Sequence, residues 1–590
     1  MELLQIDGPE QSLVQEDLAD AGLPPAVGVQ SFGVFRASQA AADKTDKKGW
    51  TYHHHMDMAC WRGRLYVGWN SCEKDEDIWP ARELYSSSLD GVHWTDPAEM
   101  FPQGSSTCLR MYFYRTANGR MLLIAGLRTS TEKTEEGLKG GLVVRELDAN
   151  HHLQPVYTLQ LPPLPVENHP PKFETSPDSG FVEACKLLLN DKPYLEQQDL
   201  GRLLGTRRMK WHSPENWPGG VIPATGASRW IFGKAFSFYR RAGNQFVGIS
   251  KMGYTVLSDD DGENWTAPTV PPTLVTGKAK VWSQKTADGR FALVYNPSAK
   301  RRYPLIVVSG DDGVTFGDMR IVQGELPIQR YPGADRSVGP QYVRGISTWA
   351  TDGSRDDNAM WLVYSMSKED IWVTRVPLPI QADEDGDVAD DFDAMPLGPI
   401  IAKWTTYSPK WAAVTIATNP QGMGRCLRLE DSDPYDYARA MRVFKQTAHA
   451  TAECEILIPS GQEGSDPIEI ELLSKFGSKR PVRWSFAANG EMRATIAGEW
   501  QSVGKFATAA WLRLGIDVDT QAGVFTLRLD DRVVVDRAPV AEAASDVQRI
   551  SFRTGSYRNV GGKAPVDPPT DIPEDNLQVF IRNVRVSALA

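Results

Sequence analysis

The chain is 590 residues long, 41% hydrophobic and 24% charged, which is enough apolar content for two or three domains with large cores. Sixty-four Lys and Arg against 75 Asp and Glu leave a formal charge of −11, which argues against a phosphate backbone or an anionic bilayer as the main partner. No window approaches the roughly 18 uninterrupted apolar residues of a membrane span, and the opening MELLQIDGPEQSLVQEDLADAG lacks the basic start and apolar middle of an export signal.

Residues 1–29 read as an N-terminal extension. From there to about Ile380 one pattern recurs: a polar or aromatic stretch, a tight turn with Gly or Asp, then an alternating apolar strand. The copies centre on Gly63, Gly119, Gly180, Gly243, Gly289 and Asp357, and the one at Gly180 (SPDSGFVEACKLLL) is the least regular. Such turns between alternating strands are hairpin signals, and units near 50 residues suit four-stranded blades around an axis. The expected fold is all-β: a six-bladed propeller over 30–380, an acidic linker over 381–396 and a β-sandwich over 397–590. Six cysteines without a CxxC are too scattered for a disulfide framework, and buried thiols are expected, with Cys60–Cys72 or Cys426–Cys454 as pairs in an oxidising compartment.

Ser258 to Trp265 (SDDDGENW) and Ser309 to Phe316 (SGDDGVTF) share S-x-D-x-G-x-x-aromatic, and Ser87 to Trp94 (SSLDGVHW) is a looser copy. These are self-contained turns: Ser and Asp bond nearby amides, Gly supplies an unusual dihedral and the aromatic packs beneath. They resemble the Asp boxes of the sialidase-like β-propeller superfamily. Asp boxes sit between the outer strands of a blade, so the resemblance makes Asp260 and Asp311 structural. Seven acidic residues between Asp383 and Asp393 read as a solvated linker, although their alternating oxygens are also compatible with a structural calcium; no other cofactor or metal is expected. The alternating segments after it, with turns at Asn489-Gly490 and Asp530-Asp531, resemble the concanavalin-like jelly rolls appended to carbohydrate-active enzymes. Trp404, Tyr407, Trp411, Tyr435 and Tyr437 are candidates there for stacking on sugars or for packing.

A propeller gathers its innermost strands around one axis, and the first strand of each hairpin should be the innermost. Those strands offer His53, His54, His55 and Asp57, then Arg110 and Tyr112, then His169 and Lys172, then Arg229 and Lys234, then Lys280, Trp282 and Gln284, then Arg336, Tyr342 and Arg344, with Arg36 on a closing N-terminal strand. This set is basic in an acidic protein, which suits an anionic ligand. Strict alternation places His53, His55 and Asp57 on one face and His54 on the other. A His beside a carboxylate is a credible acid or base; zinc on His53 and His55 is a rival reading that needs a distant third ligand. Glu76 and Asp77, in the loop between the second and third strands of the same blade, are further acid candidates.

The resemblance to sialidase-like propellers spans about residues 30–378. It implies an arginine triad, a tyrosine nucleophile assisted by a glutamate, and an aspartate acid following an Arg-Ile-Pro motif. Phe35-Arg36-Ala37-Ser38 keeps the arginine but not Ile-Pro, Asp57 stands in the acid's place, Arg344 or Arg336 complete the triad, and the Tyr–Glu pair is not placed. The function expected is a glycoside hydrolase acting on a uronic-acid- or rhamnose-containing glycan, with His54, His55, Asp57, Glu76, Asp77 and Tyr342 as catalytic candidates and Arg36, His53, Arg110, Lys280, Trp282, Gln284, Arg336 and Arg344 as substrate-binding ones. A polysaccharide lyase using His/Tyr acid–base chemistry with Arg neutralising the carboxylate, a sialidase, and a noncatalytic glycan-binding propeller are the alternatives. The expected partner is an anionic oligo- or polysaccharide, at an extracellular or periplasmic location or, given the opening residues, in the cytoplasm.

Overall fold

The computed structural model describes the chain except for residues 1–3, 8–13, 16–18, 40–49, 77–80, 103–109, 127–140, 162–168, 199, 201–235, 252, 267, 277–279, 298–304, 334–335, 347–357, 382, 385, 463–467, 476–478, 488, 556–571, 575 and 590. The architecture is all-β, a propeller-like ring of sheets followed by a β-sandwich. The first blade is Tyr52–Trp61, Arg64–Cys72, Ala81–Ser88 and Ala98–Glu99. The second is Met111–Arg115, Met121–Gly126, Leu142–Leu147 and Tyr157–Gln160. A three-stranded sheet follows, Ser237–Arg240, Phe246–Ile249 and Thr255–Ser258. Then come Trp282–Lys285, Phe291–Tyr295, Leu305–Gly310 and Thr315–Gln323, with Gln5–Ile6 added parallel to the last. The final blade is Pro340–Ile346, Ala359–Met366 and Asp370–Pro377, completed by Gln30–Phe35.

Among the described residues there are thus four blades of four strands and one three-stranded sheet, not six blades. The hairpin expected at Gly180 is a helix, α1, Ser179–Asn190, followed by a short α2, Lys192–Gln197. The Asp178 carboxylate accepts the Gly180 and Phe181 amides as an N-cap, and Phe181, Ala184, Cys185 and Leu188 repeat at helical spacing on the buried face. The run FVEACKLLL therefore has a 3.6-residue period that a hairpin reading overlooks.

The three Asp-box turns form as expected, with one exchange. Asp260 accepts the Asn264 amide and Ser258 donates to Asp260, while the indole of Trp265 donates to the Gly262 carbonyl. In the copy at Ser309 it is Asp312, not Asp311, that accepts the amides of Val314 and Thr315; Asp311 pairs with Arg290 at 2.6 Å. The looser copy uses Ser88, Asp90 and Trp94 in the same way, and its Gly91 (φ 82°) lies against Trp361 of the last blade, where a Cβ would come within 2.2 Å of the indole.

The N-terminal strand Gln30–Phe35 pairs antiparallel with Asp370–Pro377 on one side and parallel with Trp404–Ser408 on the other. One continuous sheet therefore runs from the last blade into the sandwich. The second sandwich sheet carries Ala412–Thr418, Arg425–Asp431, Leu577–Ala588, His449–Leu457, Leu512–Asp519, Val524–Leu529 and Arg532–Pro539. Between them lies a core that includes Trp404, Ile470, Trp484, Leu514, Ile516, Phe552 and Val579. Tyr407 stacks on Trp372 of the propeller at 4.7 Å, Tyr437 bonds Glu325 at 2.5 Å, and Trp411 lies under Arg36, so these aromatics pack between the two parts. The acidic run is spent on the sandwich: Asp390 binds Arg442 and the Trp404 indole, and Glu384 faces Lys403 and Arg442. Among the described residues no group of three or more His, Cys, Asp or Glu is arranged to hold a metal, and Cys60, Cys72, Cys185, Cys426 and Cys454 are buried thiols outside any disulfide. Among them, too, no helix is long and apolar enough to cross a membrane.

Candidate functional site

Two innermost strands meet at the axis, Tyr52–Trp61 of the first blade and Pro340–Ile346 of the last. Each carries a β-bulge at its centre. In the first, His54 faces Asn70 and Asp57 faces Gly68, so His55 and Met56 together oppose Trp69. In the second, Gln341 faces Ser365 and Arg344 faces Val363, so Tyr342 and Val343 together oppose Tyr364. The bulged residues His55 (φ 54°) and Tyr342 (φ 57°) adopt the left-handed conformation, which a side chain other than Gly holds only at a cost of about 1–3 kcal/mol.

The first bulge overturns the strict alternation expected from the sequence. The His54 and His55 rings both lie against Tyr342, at 4.3 and 5.5 Å between centroids. His53 instead packs edge-on against Phe35 at 4.5 Å, its Nδ1 accepting from the Trp69 indole and its Nε2 donating to the Trp50 carbonyl. Both His53 nitrogens are used, which removes it from ligand binding and from the zinc reading.

His55 Nε2 bonds Glu76 Oε1 at 3.0 Å, and the second Glu76 oxygen faces Lys368 at 3.3 Å. His54 Nδ1 bonds Ser365 at 2.9 Å. The remaining ring nitrogens, His54 Nε2 and His55 Nδ1, are buried and unpartnered among the described residues. Burial favours the neutral imidazoles, pulling His55 down to about 3 and His54 well below its usual value. Burial alone would raise Glu76, but the bond from His55 and the Lys368 ammonium outweigh it and hold the carboxylate well below the usual range. The neutral His55 therefore donates through Nε2 and keeps its lone pair on Nδ1.

Asp57 accepts the Phe113 amide at 2.9 Å, and burial pushes its carboxyl above the usual range against the pull of Arg344. Arg344 is held by the carbonyl of Gln197 and the side chain of Gln198 at the end of α2, and lies over Trp282. Lys251 donates to the Tyr342 hydroxyl at 2.7 Å, and Lys280 lies 5.0 Å from the centre of the same ring. Arg110 is within electrostatic reach of His55, Lys280 and Arg344. The axis thus gathers Arg110, Lys251, Lys280 and Arg344 around Asp57, Tyr342 and two neutral histidines, a basic pocket in an acidic chain.

Other expected residues are placed elsewhere. Arg36 pairs with Asp370 (3.4 Å) and Asp433 (2.9 Å) and covers Trp411, because Gln30–Phe35 is the outer strand of the last blade and cannot reach the axis. Arg336 binds Glu369, Thr51 and the Lys74 carbonyl. Trp282 and Gln284 bond each other at 2.6 Å beside Arg344. Asp77, Arg229 and Lys234 lie outside the described residues. Lys251, Lys368, Ser365 and Gln198 are the participants that sequence reasoning overlooked. Lys251 and Lys368 occupy loops between second and third strands, the position that singled out Glu76; an antiparallel blade returns those loops to the same end as the start of its innermost strand.

Residues 404–572 match the family model described as the sialidase-like CBM domain, and residues 5–107 and 105–199 match that of an N-terminal β-propeller family. A solved structure named "Sialidase" superposes with a TM-score of 0.85 at 26% identity, covering 100% of this chain and 54% of its own, so the chain spans about half of that protein. A mutant of Trypanosoma rangeli sialidase displaying trans-sialidase activity aligns over 96% of this chain and 97% of its own at 11% identity, but with a TM-score of 0.35 the overlay is too loose to compare positions. No curated protein matches the sequence. The chain is thus similar to sialidase-like β-propellers in its first part and to a sialidase-like CBM domain in its β-sandwich.

Proposed function

We propose that the chain is a glycoside hydrolase that cleaves an acidic glycan in the axial pocket. The observation that carries this reading is the His55–Glu76 pair beside Tyr342: Glu76 fixes the imidazole through Nε2 and leaves a buried Nδ1 that is unpartnered among the described residues. Arg110, Arg344 and Lys251 bind the carboxylate of the sugar. Asp57, whose carboxyl is pushed up by burial, delivers a proton to the departing glycosidic oxygen. His55 Nδ1 takes the proton from the attacking oxygen, that of Tyr342 or of water, and the Glu76 carboxylate stabilises the imidazolium formed. The "Sialidase" relative supports an acidic sugar such as a sialic or uronic acid. The match of the sandwich to a CBM domain supports glycan binding there, with catalysis in residues 30–380.

The same groups support a second reading, a uronate lyase in which His54 or His55 removes the proton beside the carboxylate, Arg344 neutralises that carboxylate and Tyr342 protonates the leaving oxygen. A panel of uronic-acid, rhamnose and sialic-acid glycans separates the two. Reducing sugar released without the ultraviolet absorbance of an unsaturated uronate supports hydrolysis, and matched absorbance transfers the assignment to the lyase. Binding to the panel without turnover would leave a noncatalytic glycan-binding propeller.

A further inference from the structure

Lys280 stands apart from the other cations of the pocket. Its residue is 7% exposed, and among the described residues its ammonium makes no hydrogen bond and no ion pair; its only close contact of note is the face of Tyr342 at 5.0 Å. Lys251, by contrast, is bonded to the Tyr342 hydroxyl and Lys368 to Glu76. Three like charges, Arg344, Arg110 and Lys251, act on Lys280, and Asp57 is the carboxylate that opposes them. A buried amine without an acceptor, ringed by cations, is the setting in which lysine serves as a nucleophile, because both desolvation and like charge favour the neutral form.

From this geometry we infer that Lys280 is a carbonyl-reactive lysine that forms a Schiff base with a 2-oxo acid. Arg344 and Arg110, which lie within electrostatic reach of the amine, bind the carboxylate of such a compound and bring its adjacent carbonyl carbon to Nζ. The Nζ lone pair adds to that carbon, and the proton leaving nitrogen passes to the new alkoxide to give a carbinolamine. Loss of hydroxide as water, with a proton supplied by the Asp57 carboxyl, then yields the imine. No oxidant or reductant is consumed, and Asp57 recovers its proton from the iminium nitrogen or from solvent. Burial and the neighbouring guanidiniums, which lower the Lys280 amine well below the usual lysine range, agree with this role. The inference does not depend on the glycosidase reading, since imine formation needs only the amine and the carboxylate clamp.

The experiment is reductive trapping on the full chain: incubation with pyruvate and sodium cyanoborohydride, then intact mass and peptide mapping. The expected result is one reduced pyruvate adduct per chain, located on Lys280, retained after the labelling of denatured protein is subtracted and absent in Lys280→Arg. Acetaldehyde, which has no carboxylate, should label Lys280 at least about tenfold more slowly. No adduct in the native wild-type protein, adducts spread over exposed lysines, or labelling of Lys251 in preference to Lys280 would each overturn the inference. Equal rates with acetaldehyde would overturn the 2-oxo acid specificity. Because the decisive readings come from the wild-type protein, they stand even if the arginine variant folds poorly.

Discussion

His55 and Tyr342 face each other across the axis as the bulged residues of their strands, both left-handed at φ 54° and 57°, with ring centroids 5.5 Å apart. Tyr seldom adopts this conformation and His does so more readily but still uncommonly, and the two bulges together bring side chains from opposite ends of the ring sequence into one pocket. Strain of this kind persists only where the surrounding sheet over-determines it, and it re-aims a side chain at a chosen point.

Tyr342→Phe retains the ring that packs on His54 and His55 and removes only the hydroxyl bonded by Lys251. The expected outcome is a loss of at least about 100-fold in kcat on the active glycan, with stability reduced by about 1 kcal/mol. Steady-state kinetics and urea unfolding on the same preparation check both halves. A large loss of stability with proportionate loss of activity would make Tyr342 a packing residue.

The neutral state of His55 gives stability a defined pH dependence. The unfolded imidazole titrates near 6.5 and the folded one near 3, so between those values the unfolded chain binds a proton that the folded chain refuses. The contribution is therefore constant above pH 6.5 and is lost as pH falls toward 3, with a slope of up to about 1.4 kcal/mol per pH unit. His55→Gln should flatten the fall in urea midpoint between pH 6.5 and 4 relative to wild type; parallel curves would show that His55 is not held neutral.

Asp433→Ala removes the nearer of the two carboxylates that pair with the Arg36 guanidinium, 3% exposed, while the other, Asp370, is also engaged by Arg330. Breaking a buried ion pair by removing one partner costs up to about 3–5 kcal/mol. The double variant Arg36→Met with Asp433→Leu should recover most of that loss, because both charges are then replaced by apolar groups of similar size. Chemical denaturation of the two single variants and the double variant tests this coupling between propeller and sandwich.

The exchanged Asp box makes a sharper distinction than its motif does. Asp312→Ala removes the acceptor of two backbone amides and should destabilise by about 1.5–3 kcal/mol. Asp311→Ala breaks an exposed pair with Arg290 and should cost less than about 1 kcal/mol. Thermal melts of the two variants, side by side, check the order.

Much of the fold was legible because its signals are local. Asn-Gly and Asp-Gly turns, two-residue alternation and the Asp boxes are each written within a dozen residues, and they locate the propeller sheets and the sandwich strands. The Gly180 segment was misread for a similar local reason, since FVEACKLLL satisfies a short alternating pattern as well as a helical one until its cap at Asp178 is counted. The candidate pocket was legible only to the extent that innermost strands can be named: His54, His55, Asp57, Lys280, Tyr342 and Arg344 follow from that rule, and Lys251 and Lys368 would have followed from applying the loop rule to every blade.

What the sequence by itself determined is therefore the type of its elements and the basic character of the axis, both of which depend on neighbours a few residues away. Only the tertiary structure decided which charges remain available there. Arg36 lost its expected place because its strand pairs on the outside of the last blade and meets Asp433 from the sandwich, nearly 400 positions along the chain. The bulges at His55 and Tyr342 were decided in the same way: strand register is set by the partner strand, and a one-residue shift reverses the face that every following side chain presents.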